Sequence, residues 1–202
     1  MEQYSVIIPT LWKSDKTQKL LNDLLNSSFV NEIIIIDNTN SKSPITHPKI
    51  NHVIMGENIY VNPSWNKGVE LSKNEHIAIC NDDINFNPNI FGLILENKIE
   101  GIIGQCSNNF NRKHEGTPNL TLMNTSRPYG WGTLLLTQKK YWTPIPEQLK
   151  IWYGDDFLIN FSPCKKWILG NVEISTNMST TSDLSEFHQI KHNDGIEWVK
   201  LL

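Results

Sequence analysis

Four consecutive isoleucines end at two polar residues in the stretch Ile33-Ile34-Ile35-Ile36-Asp37-Asn38. The run is β-branched and has no polar alternation, so it predicts a strand buried on both faces, as in a parallel sheet covered by helices. An earlier apolar run, Tyr4-Ser5-Val6-Ile7-Ile8, ends at Pro9-Thr10, because proline cannot donate a ladder hydrogen bond. Leucines at helical spacing lie between the two runs, and Ser14 or Asp15 is expected to cap that helix. The N-terminal region therefore predicts a strand, a helix and a strand.

The same alternation continues through the first hundred residues. His52-Val53-Ile54-Met55 predicts a third strand. Asn62-Pro63 is expected to open a helix that runs through Leu71, with Asn62 as its cap and Pro63 in its first turn. His76-Ile77-Ala78-Ile79-Cys80 predicts a further buried strand, which ends at Asn81-Asp82-Asp83. We therefore expect an α/β fold with a mostly parallel, doubly wound sheet flanked by helices. In such sheets ligands bind at the carboxyl ends of the strands.

The second half of the chain has a different character. Residues 106–128 are rich in Asn, Gly, Pro and Thr and predict one long loop, either a binding lid or an irregular surface segment. A strand is expected at Thr133-Leu134-Leu135-Leu136, a short helix over Asp156 to Phe161, and an amphipathic helix from Asp183 to Leu202. The length of 202 residues fits a single domain.

Composition and charge exclude several classes of protein. The net charge of -3 and the pI of about 6.1 give no overall cationic field for nucleic acid or acidic membranes. No apolar run approaches the roughly 20 residues of a membrane span, and the N-terminus lacks a signal-peptide pattern. Three cysteines without metal-type spacing suit a reducing compartment. We expect a cytoplasmic protein without a transmembrane segment.

Acidic residues recur at the ends of the predicted elements. They are Asp37, the pair Asp82-Asp83, and the pair Asp155-Asp156. Adjacent carboxylates repel each other, so two such pairs at one crevice indicate a bound cation or an acid/base role. Aspartate is also a common turn former and helix cap. The repetition at matching strand ends favours a site that binds a diphosphate with a hard divalent cation.

Four segments of the first hundred residues resemble family-two GT-A glycosyltransferases, in particular the rhamnosyltransferase-like branch. These segments are Ser5-Val6-Ile7-Ile8-Pro9-Thr10, Ile34-Ile35-Ile36-Asp37-Asn38, Asn62-Pro63-Ser64-Trp65-Asn66-Lys67-Gly68 and Ile79-Cys80-Asn81-Asp82-Asp83-Ile84. The resemblance implies a nucleotide-sugar donor, usually a UDP-sugar, and a GT-A fold. Residues 1–105 would then form the donor-binding half and residues 106–202 the acceptor half of one domain, 1–202.

The resemblance also assigns roles on the donor side. Pro9 and Thr10 would line the nucleotide pocket, and Asp37 would accept a hydrogen bond from the base. Asn66 with Lys67 would border the sugar-nucleotide. In the sequence Asn81-Asp82-Asp83, Asp83 would ligate Mn²⁺ or Mg²⁺ and Asp82 would face the donor sugar or ribose.

On the acceptor side, two further segments resemble family motifs. Gly130-Trp131-Gly132 resembles the glycine-containing turn before the acceptor-side strand, and Trp152-Tyr153-Gly154-Asp155-Asp156-Phe157 resembles the acidic motif that opens a helix. Asp156, beside Asp155, would be the general base of an inverting single displacement on an acceptor hydroxyl. Trp131, Trp152 and Tyr153 are the expected acceptor-binding aromatics.

The sequence departs from the family pattern at the expected metal-binding histidine. Thr180-Thr181 is present, but the preceding residues Ser175-Thr176-Asn177-Met178-Ser179 contain no histidine. His188 is a candidate replacement, and His192 lies one helical turn later. The alternative is that both are surface or packing histidines.

Several functions stay open at this point. The acceptor is a glycan, a small molecule, or a hydroxymethylated base in DNA as in phage-type glycosyltransferases. The DNA reading requires one basic patch from Arg112, Lys113, Lys139, Lys140, Lys165 and Lys166. A non-catalytic nucleotide-sugar-binding module is a further alternative. A nucleotidyltransferase ranks last, because no glycine-rich phosphate loop follows the first strand. The donor sugar and the oligomeric state are not indicated.

Overall fold

A computed structural model describes residues 2–40, 44–124, 127–177 and 184–202. The strands are β1 (Tyr4–Thr10), β2 (Val30–Asp37), β3 (Ile50–Ile54), β4 (His76–Cys80), β5 (Ile84–Phe86), β6 (Ile102–Gln105), β7 (Asn119–Leu122), β8 (Leu134–Gln138), β9 (Lys166–Gly170) and β10 (Ile174–Thr176). The α-helices are α1 (Thr17–Leu25), α2 (Val61–Leu71), α3 (Asn89–Glu96), α4 (Gly154–Phe161) and α5 (His188–Leu201).

Eight strands form the central sheet in the order β3-β2-β1-β4-β8-β6-β9-β7. The N-terminal part is parallel, with β1 between β2 and β4 and with β3 at the edge. β8 runs antiparallel to both β4 and β6, and β9 pairs parallel with β6 and antiparallel with β7. The predicted α/β architecture, with a large and mostly parallel sheet flanked by helices, is confirmed.

The isoleucine run explains why helices cover both faces of the sheet. Ile33 and Ile35 pack in one apolar cluster with leucines of α1, whereas Ile34 and Ile36 pack in a second cluster with Trp65 of α2. All four isoleucines are at most 1% exposed. A strand with apolar side chains on both faces is stable only between two layers of helices. The sequence pattern therefore determines the three-layer arrangement.

The register of the parallel strands β1, β2 and β4 places their polar carboxyl ends at one edge of the sheet. Thr10 at the end of β1 lies opposite Asp37 at the end of β2. Ile7 of β1 pairs with Ile79 of β4, one residue before that strand ends at Cys80. The residues that follow these strands therefore share one crevice, as expected for ligand sites in parallel sheets.

A small second sheet fixes the chain just after Asp82-Asp83. β5 pairs antiparallel with β10, with Ile84 opposite Thr176 and Phe86 opposite Ile174. Ile84 and Phe86 both belong to the buried cluster on the α1 side of the central sheet. The acidic pair is thus held between two strands, β4 before it and β5 after it. The sequence did not predict β5, β9, β10 or α3.

Both predicted helix caps are wrong. α1 begins at Thr17 without a side-chain cap, and Ser14 Oγ instead accepts from the N–H of Lys16, before the helix. α2 begins at Val61, after Tyr60 in the left-handed region (φ 70°). Asn62 lies inside α2, and its side-chain amide donates to the carbonyl oxygens of Leu149 and Trp152. At α2, long-range partners of Asn62 replace the local cap that the sequence predicted, whereas at α1 Ser14 makes a local contact just outside the helix.

The acceptor half is more ordered than a single loop over residues 106–128. A 3-10 turn covers Ser107–Asn109, and β7 extends the central sheet at Asn119–Leu122. The strand expected at Thr133–Leu136 is β8, Leu134–Gln138, and the short helix begins two residues early, at Gly154. The C-terminal helix is described from His188 onward. Asp183, Thr180-Thr181 and Met178-Ser179 lie outside the described residues.

Candidate active site

A cavity of about 480 Å³ opens at the carboxyl ends of β1, β2 and β4. On the strand side its lining includes Pro9, Thr10, Asn38, Asn81, Asp82 and Asp83. On the opposite side, it includes Arg127, Tyr129, Gly130, Gly132, Thr133, Trp152, Tyr153, Asp155 and Asp156. Eight of the predicted site residues therefore meet around one space: Pro9, Thr10, Asp82, Asp83, Trp152, Tyr153, Asp155 and Asp156.

Asp82 is held rigidly on the strand side of the cavity. Thr10 Oγ1 donates to Asp82 Oδ2 at 2.6 Å, and Thr10 Oγ1 itself accepts from the N–H of Trp12 at 2.8 Å. Thr17 Oγ1 of α1 donates to the Asp82 backbone oxygen at 3.1 Å. Burial raises the pKa of Asp82 to about 6; the Thr10 hydrogen bond lowers it, and the adjacent Asp83 charge raises it further.

Asp83 has the features expected of a cation ligand. Its Oδ1 is buried and has no hydrogen-bond partner within the ranges that the structure describes. Burial raises its pKa, against the opposing effects of a backbone hydrogen bond and of Lys16. An unpaired buried carboxylate oxygen beside a second carboxylate is unfavourable unless a cation neutralises it. The donor set at this end of the cavity therefore fits a hard divalent cation.

Protein groups do not enclose such a cation by themselves. Among residues 2–40, 44–124, 127–177 and 184–202, no three His, Cys, Asp or Glu side chains come together as a metal site. Mg²⁺ in proteins commonly uses one or two carboxylates and completes its coordination with substrate phosphates and water. The arrangement at Asp83 suits that mode.

The raised pKa of Asp82 predicts a pH-dependent effect of Asp82→Asn on stability. The folded pKa of about 6 lies above the ordinary value of 3.8, so the folded state binds the proton more tightly, and stability falls as pH rises through this window. Asparagine carries no charge at any pH in this window, so Asp82→Asn removes this loss of stability. We expect Asp82→Asn, in EDTA, to raise the unfolding free energy at pH 7.5 by on the order of 2 kcal/mol, and much less at pH 4.5.

Urea unfolding at the two pH values measures this effect. Asp15→Asn, at an exposed carboxylate, is the control and should change stability little at either pH. An equal gain for Asp82→Asn at both pH values would show that the Asp82 carboxylate is not desolvated in the folded protein.

On the side of the cavity opposite Asp82 and Asp83, two acidic residues of α4 share a single arginine. Arg127 Nε donates to Asp156 Oδ1 at 2.8 Å, and Arg127 Nη1 donates to Asp155 Oδ2 at 2.9 Å. Burial raises the pKa of Asp155, Arg127 lowers it, and the neighbouring Asp156 raises it. Asp155 also lies tightly against Gly132, where an added Cβ would be 2.9 Å from Asp155 Oδ2. The sequence did not single out Arg127, because it lies in the segment that was predicted to be a loop.

Asp37 is turned away from the cavity into a buried polar cluster. Its Oδ1 accepts from the backbone N–H and the hydroxyl of Thr39, and its Oδ2 lies 2.9 Å from both Trp12 Nε1 and His52 Nε2. Burial raises the pKa of Asp37, but these hydrogen bonds outweigh it and leave the pKa below its ordinary value. With four contacts to its two oxygens and no exposed surface, Asp37 does not line the cavity, so this geometry gives no support to its predicted contact with the base. Asn38 lines the cavity instead.

Four other predicted site residues also lie away from the cavity lining. Asn66 uses its side chain to hold the backbone of Ile145 and the indole of Trp142, and Lys67 pairs with Glu70 on the surface. Trp131 is fully buried and donates to the Trp167 carbonyl oxygen, so its role is in the core. His188 is exposed, and its neighbour Phe187 lines the cavity.

Aromatic side chains form much of the acceptor side. Trp152 and Tyr153 line the cavity as predicted, and Tyr129 joins them with 62% of its surface exposed. Tyr153 stacks on Trp198 of α5, with ring centroids 5.5 Å apart and an interplanar angle of 7°. A fixed ring beside an exposed ring suits the stacking of a sugar or a nucleobase.

The turn that carries Trp152 is anchored from two directions. Asp194 of α5 is fully buried, and its carboxylate accepts from the N–H groups of Lys150, Ile151 and Trp152 at 2.8–3.0 Å. From α2, Asn62 contacts the same turn, as described above. No local sequence pattern marks Asp194, because its partners lie more than 40 residues away.

No protein-family model matches the chain, and no curated protein matches it. Solved structures do match. TarS residues 1–349 from S. aureus, in complex with UDP, has a TM-score of 0.60 and 14% identity over 96% of this chain and 65% of that chain. A second crystal structure of TarS residues 1–349 has a TM-score of 0.60 and 12% identity, over 86% of this chain and 60% of that chain.

GalNAc-T7 with UDP, GalNAc and Mn²⁺ also matches, with a TM-score of 0.60 and 11% identity over 86% of this chain and 43% of that chain. The chain thus spans about two fifths to two thirds of the length of these neighbours. The fold is that of GT-A glycosyltransferases; the rhamnosyltransferase-like branch is not shown by these neighbours. Within the described residues, no helix is long and apolar enough to cross a membrane.

Proposed function

We propose that this chain is a glycosyltransferase that moves a sugar from a UDP-sugar to an acceptor hydroxyl, with inversion at the anomeric carbon. The observation that carries the proposal is the meeting of two acidic pairs, Asp82-Asp83 and Asp155-Asp156, across one cavity of a GT-A fold. The neighbours with UDP in their structures support the choice of donor.

The strand side of the cavity is proposed to hold the donor. Pro9, Thr10 and Asn38 border the nucleotide, and Asp82, fixed by Thr10, faces the ribose or the donor sugar. Asp83 would hold Mn²⁺ or Mg²⁺, with Asp82 beside it. The cation, when bound, supplies positive charge that stabilises the diphosphate as it leaves.

Asp156 is proposed as the general base on the opposite side. Its carboxylate takes the proton from the acceptor hydroxyl while the acceptor oxygen forms a bond to the anomeric carbon. At the same time the bond from that carbon to the diphosphate oxygen breaks, and UDP leaves with the electron pair. Attack from the face opposite the diphosphate requires the base and the leaving group to lie on two sides of the sugar. One acidic pair follows β4 and the other lies on α4, on opposite sides of the cavity, and this separation suits that requirement.

The charges around the cavity favour an uncharged acceptor. Within the described part of the chain, the lining contains four aspartates and one basic residue, Arg127. The phosphates of DNA would be repelled there.

Three of the five lysines that a DNA site would need have partners outside the cavity. Lys139 donates to the Ser72 carbonyl oxygen and Lys166 to that of Cys164, and Lys140 pairs with Glu100. They flank the end of β8 and the start of β9, away from the cavity, which adjoins the start of β8. We therefore propose a glycan or a neutral small molecule over modified DNA.

Release of UDP from a panel of UDP-sugars tests this function. The panel contains UDP-glucose, UDP-galactose, UDP-GlcNAc and UDP-GalNAc, each with Mn²⁺, with water as acceptor and then with neutral mono- and disaccharides. We expect slow release of UDP from at least one donor, faster release with a fitting acceptor, and loss of release in EDTA. UDP that binds to the chain without release from any donor would favour the non-catalytic module.

A further inference from the structure

We infer that Arg127 is a positioning residue for the general base: its guanidinium fixes the direction of the Asp156 carboxylate and neutralises Asp155 beside it. This inference rests on the proposed function, since it assigns to Arg127 a role toward the base named there. The observation behind it is the pair of hydrogen bonds from Arg127 to Asp155 and Asp156, which lie 28 and 29 residues later in the chain.

The geometry leaves one oxygen of the base available. Arg127 Nε holds Asp156 Oδ1 at 2.8 Å, whereas no hydrogen bond to Asp156 Oδ2 comes from any residue that the structure describes. Arg127 Nη1 holds Asp155 Oδ2 at 2.9 Å, so one planar group orients both carboxylates. A lysine has a single ammonium group and cannot reproduce such a fork. The free oxygen of Asp156 is the one that would receive the acceptor proton.

The charges explain why a cation is needed at this point. The side chains of Asp155 and Asp156 are 17% and 26% exposed, and that of Arg127 is 30% exposed, so all three are only partly screened by water. The other titratable groups that line the cavity are Asp82, Asp83, Tyr60, Tyr129 and Tyr153. None of these is cationic. Without Arg127, two adjacent carboxylates would face two further carboxylates, and proton uptake by the α4 pair would become more favourable.

The test compares Arg127→Gln and Arg127→Lys with wild type, with Arg112→Gln as the matched control at an exposed arginine. Two readouts are taken between pH 5 and pH 9: affinity for UDP with Mn²⁺, and the rate of UDP release from the best donor of the panel. For Arg127→Gln, we expect UDP affinity within about twofold of wild type. Its release rate should be at least about tenfold lower at pH 6 and closer to wild type at pH 8.5.

Arg127→Lys separates charge from geometry. It should restore the shape of the pH profile, because it restores the positive charge, but leave the rate at its plateau below that of wild type. An unchanged rate and profile in Arg127→Gln would overturn the inference. A parallel loss of UDP affinity would overturn it too, because Arg127 would then act on the donor diphosphate.

A stability measurement tests the contact without relying on activity. The urea midpoint of Arg127→Gln should fall more at pH 7.5 than at pH 5, and adding Asp156→Asn in the same chain should recover part of that loss. If the changes in urea midpoint caused by Arg127→Gln and Asp156→Asn were strictly additive, the ion pair between the two side chains would be contradicted. Failure of the proposed function would look different: wild type itself would neither bind UDP nor release it, and the base-positioning role would fall with it even if the midpoints showed coupling.

Discussion

Asp156→Asn is expected to bind UDP with Mn²⁺ as wild type does and to release UDP from a UDP-sugar at least about 100-fold more slowly. Asparagine has nearly the same shape, and its side-chain oxygen can still accept from Arg127 Nε, which holds Asp156 at 2.8 Å. It cannot take a proton from the acceptor. The loss should therefore appear in the rate and not in the affinity for the donor.

The measurement is UDP release at saturating donor, together with calorimetric titration of UDP on the same preparation. Asp15→Asn, at an exposed aspartate that does not line the cavity, is the control and should keep both properties. Near-normal turnover in Asp156→Asn would show that another group accepts the proton.

The second large effect concerns Asp194, which is fully buried on α5. Asp194→Ala removes the acceptor of three backbone N–H groups, those of Lys150, Ile151 and Trp152. A buried donor left without a partner costs about 1–3 kcal/mol. We expect the free energy of unfolding to fall by about 3 kcal/mol or more. The turn before α4 would also lose one of its two anchors, leaving only the contacts of Asn62, and Trp152 would be held less firmly at the cavity.

Urea unfolding monitored by tryptophan fluorescence measures the change in stability. His192→Ala is the matched control on the same helix, because His192 is exposed. It should change stability by less than about 0.5 kcal/mol. A loss below about 1 kcal/mol in Asp194→Ala would mean that water or another group satisfies the three N–H donors, and that Asp194 is not the anchor of this turn.

The fold was predictable from sequence where one physical property dominates. The run Ile33–Ile36 is apolar on both faces and therefore has to be a central strand covered on both sides, and the structure buries it in that way. The positions of the acidic residues followed only in part from strand order. Since parallel strands end at one edge, Asp37, Asp82 and Asp83 were expected to share a crevice; Asp82 and Asp83 line one cavity, together with Thr10, which the family resemblance had assigned to the nucleotide pocket.

The role of a side chain within the crevice was less predictable. Asp37 ends its strand as expected, but its carboxylate is taken up by Trp12, Thr39 and His52. Trp12 reaches it from a left-handed backbone conformation, with φ 57°. Hydrophobic periodicity specifies which face a residue occupies. It does not specify which distant partner will bind a polar group.

The same limit explains the errors on the acceptor side. Trp131 was predicted to bind the acceptor, but its side chain packs against Gly104 in the core, while Gly130 and Gly132 on either side of it line the cavity. At Gly104 an added Cβ would be 2.4 Å from the Trp131 ring, so the fit depends on a residue more than 25 positions away. Arg127 and Asp194 were missed for the same reason. Their partners are distant in sequence, and no local pattern marks them.

Titration calorimetry of UDP, with and without Mn²⁺, on wild type and on Asp83→Ala tests the central claim most directly. Asp83 lines the cavity with a buried, unpaired Oδ1, so we expect UDP to bind wild type more tightly with Mn²⁺ than without it. Asp83→Ala should lose that dependence on Mn²⁺ while keeping a folded structure. Two results would contradict the assignment of this cavity as a cation-assisted UDP-sugar site. In the first, wild type does not bind UDP; in the second, Asp83→Ala with Mn²⁺ binds UDP as strongly as wild type does.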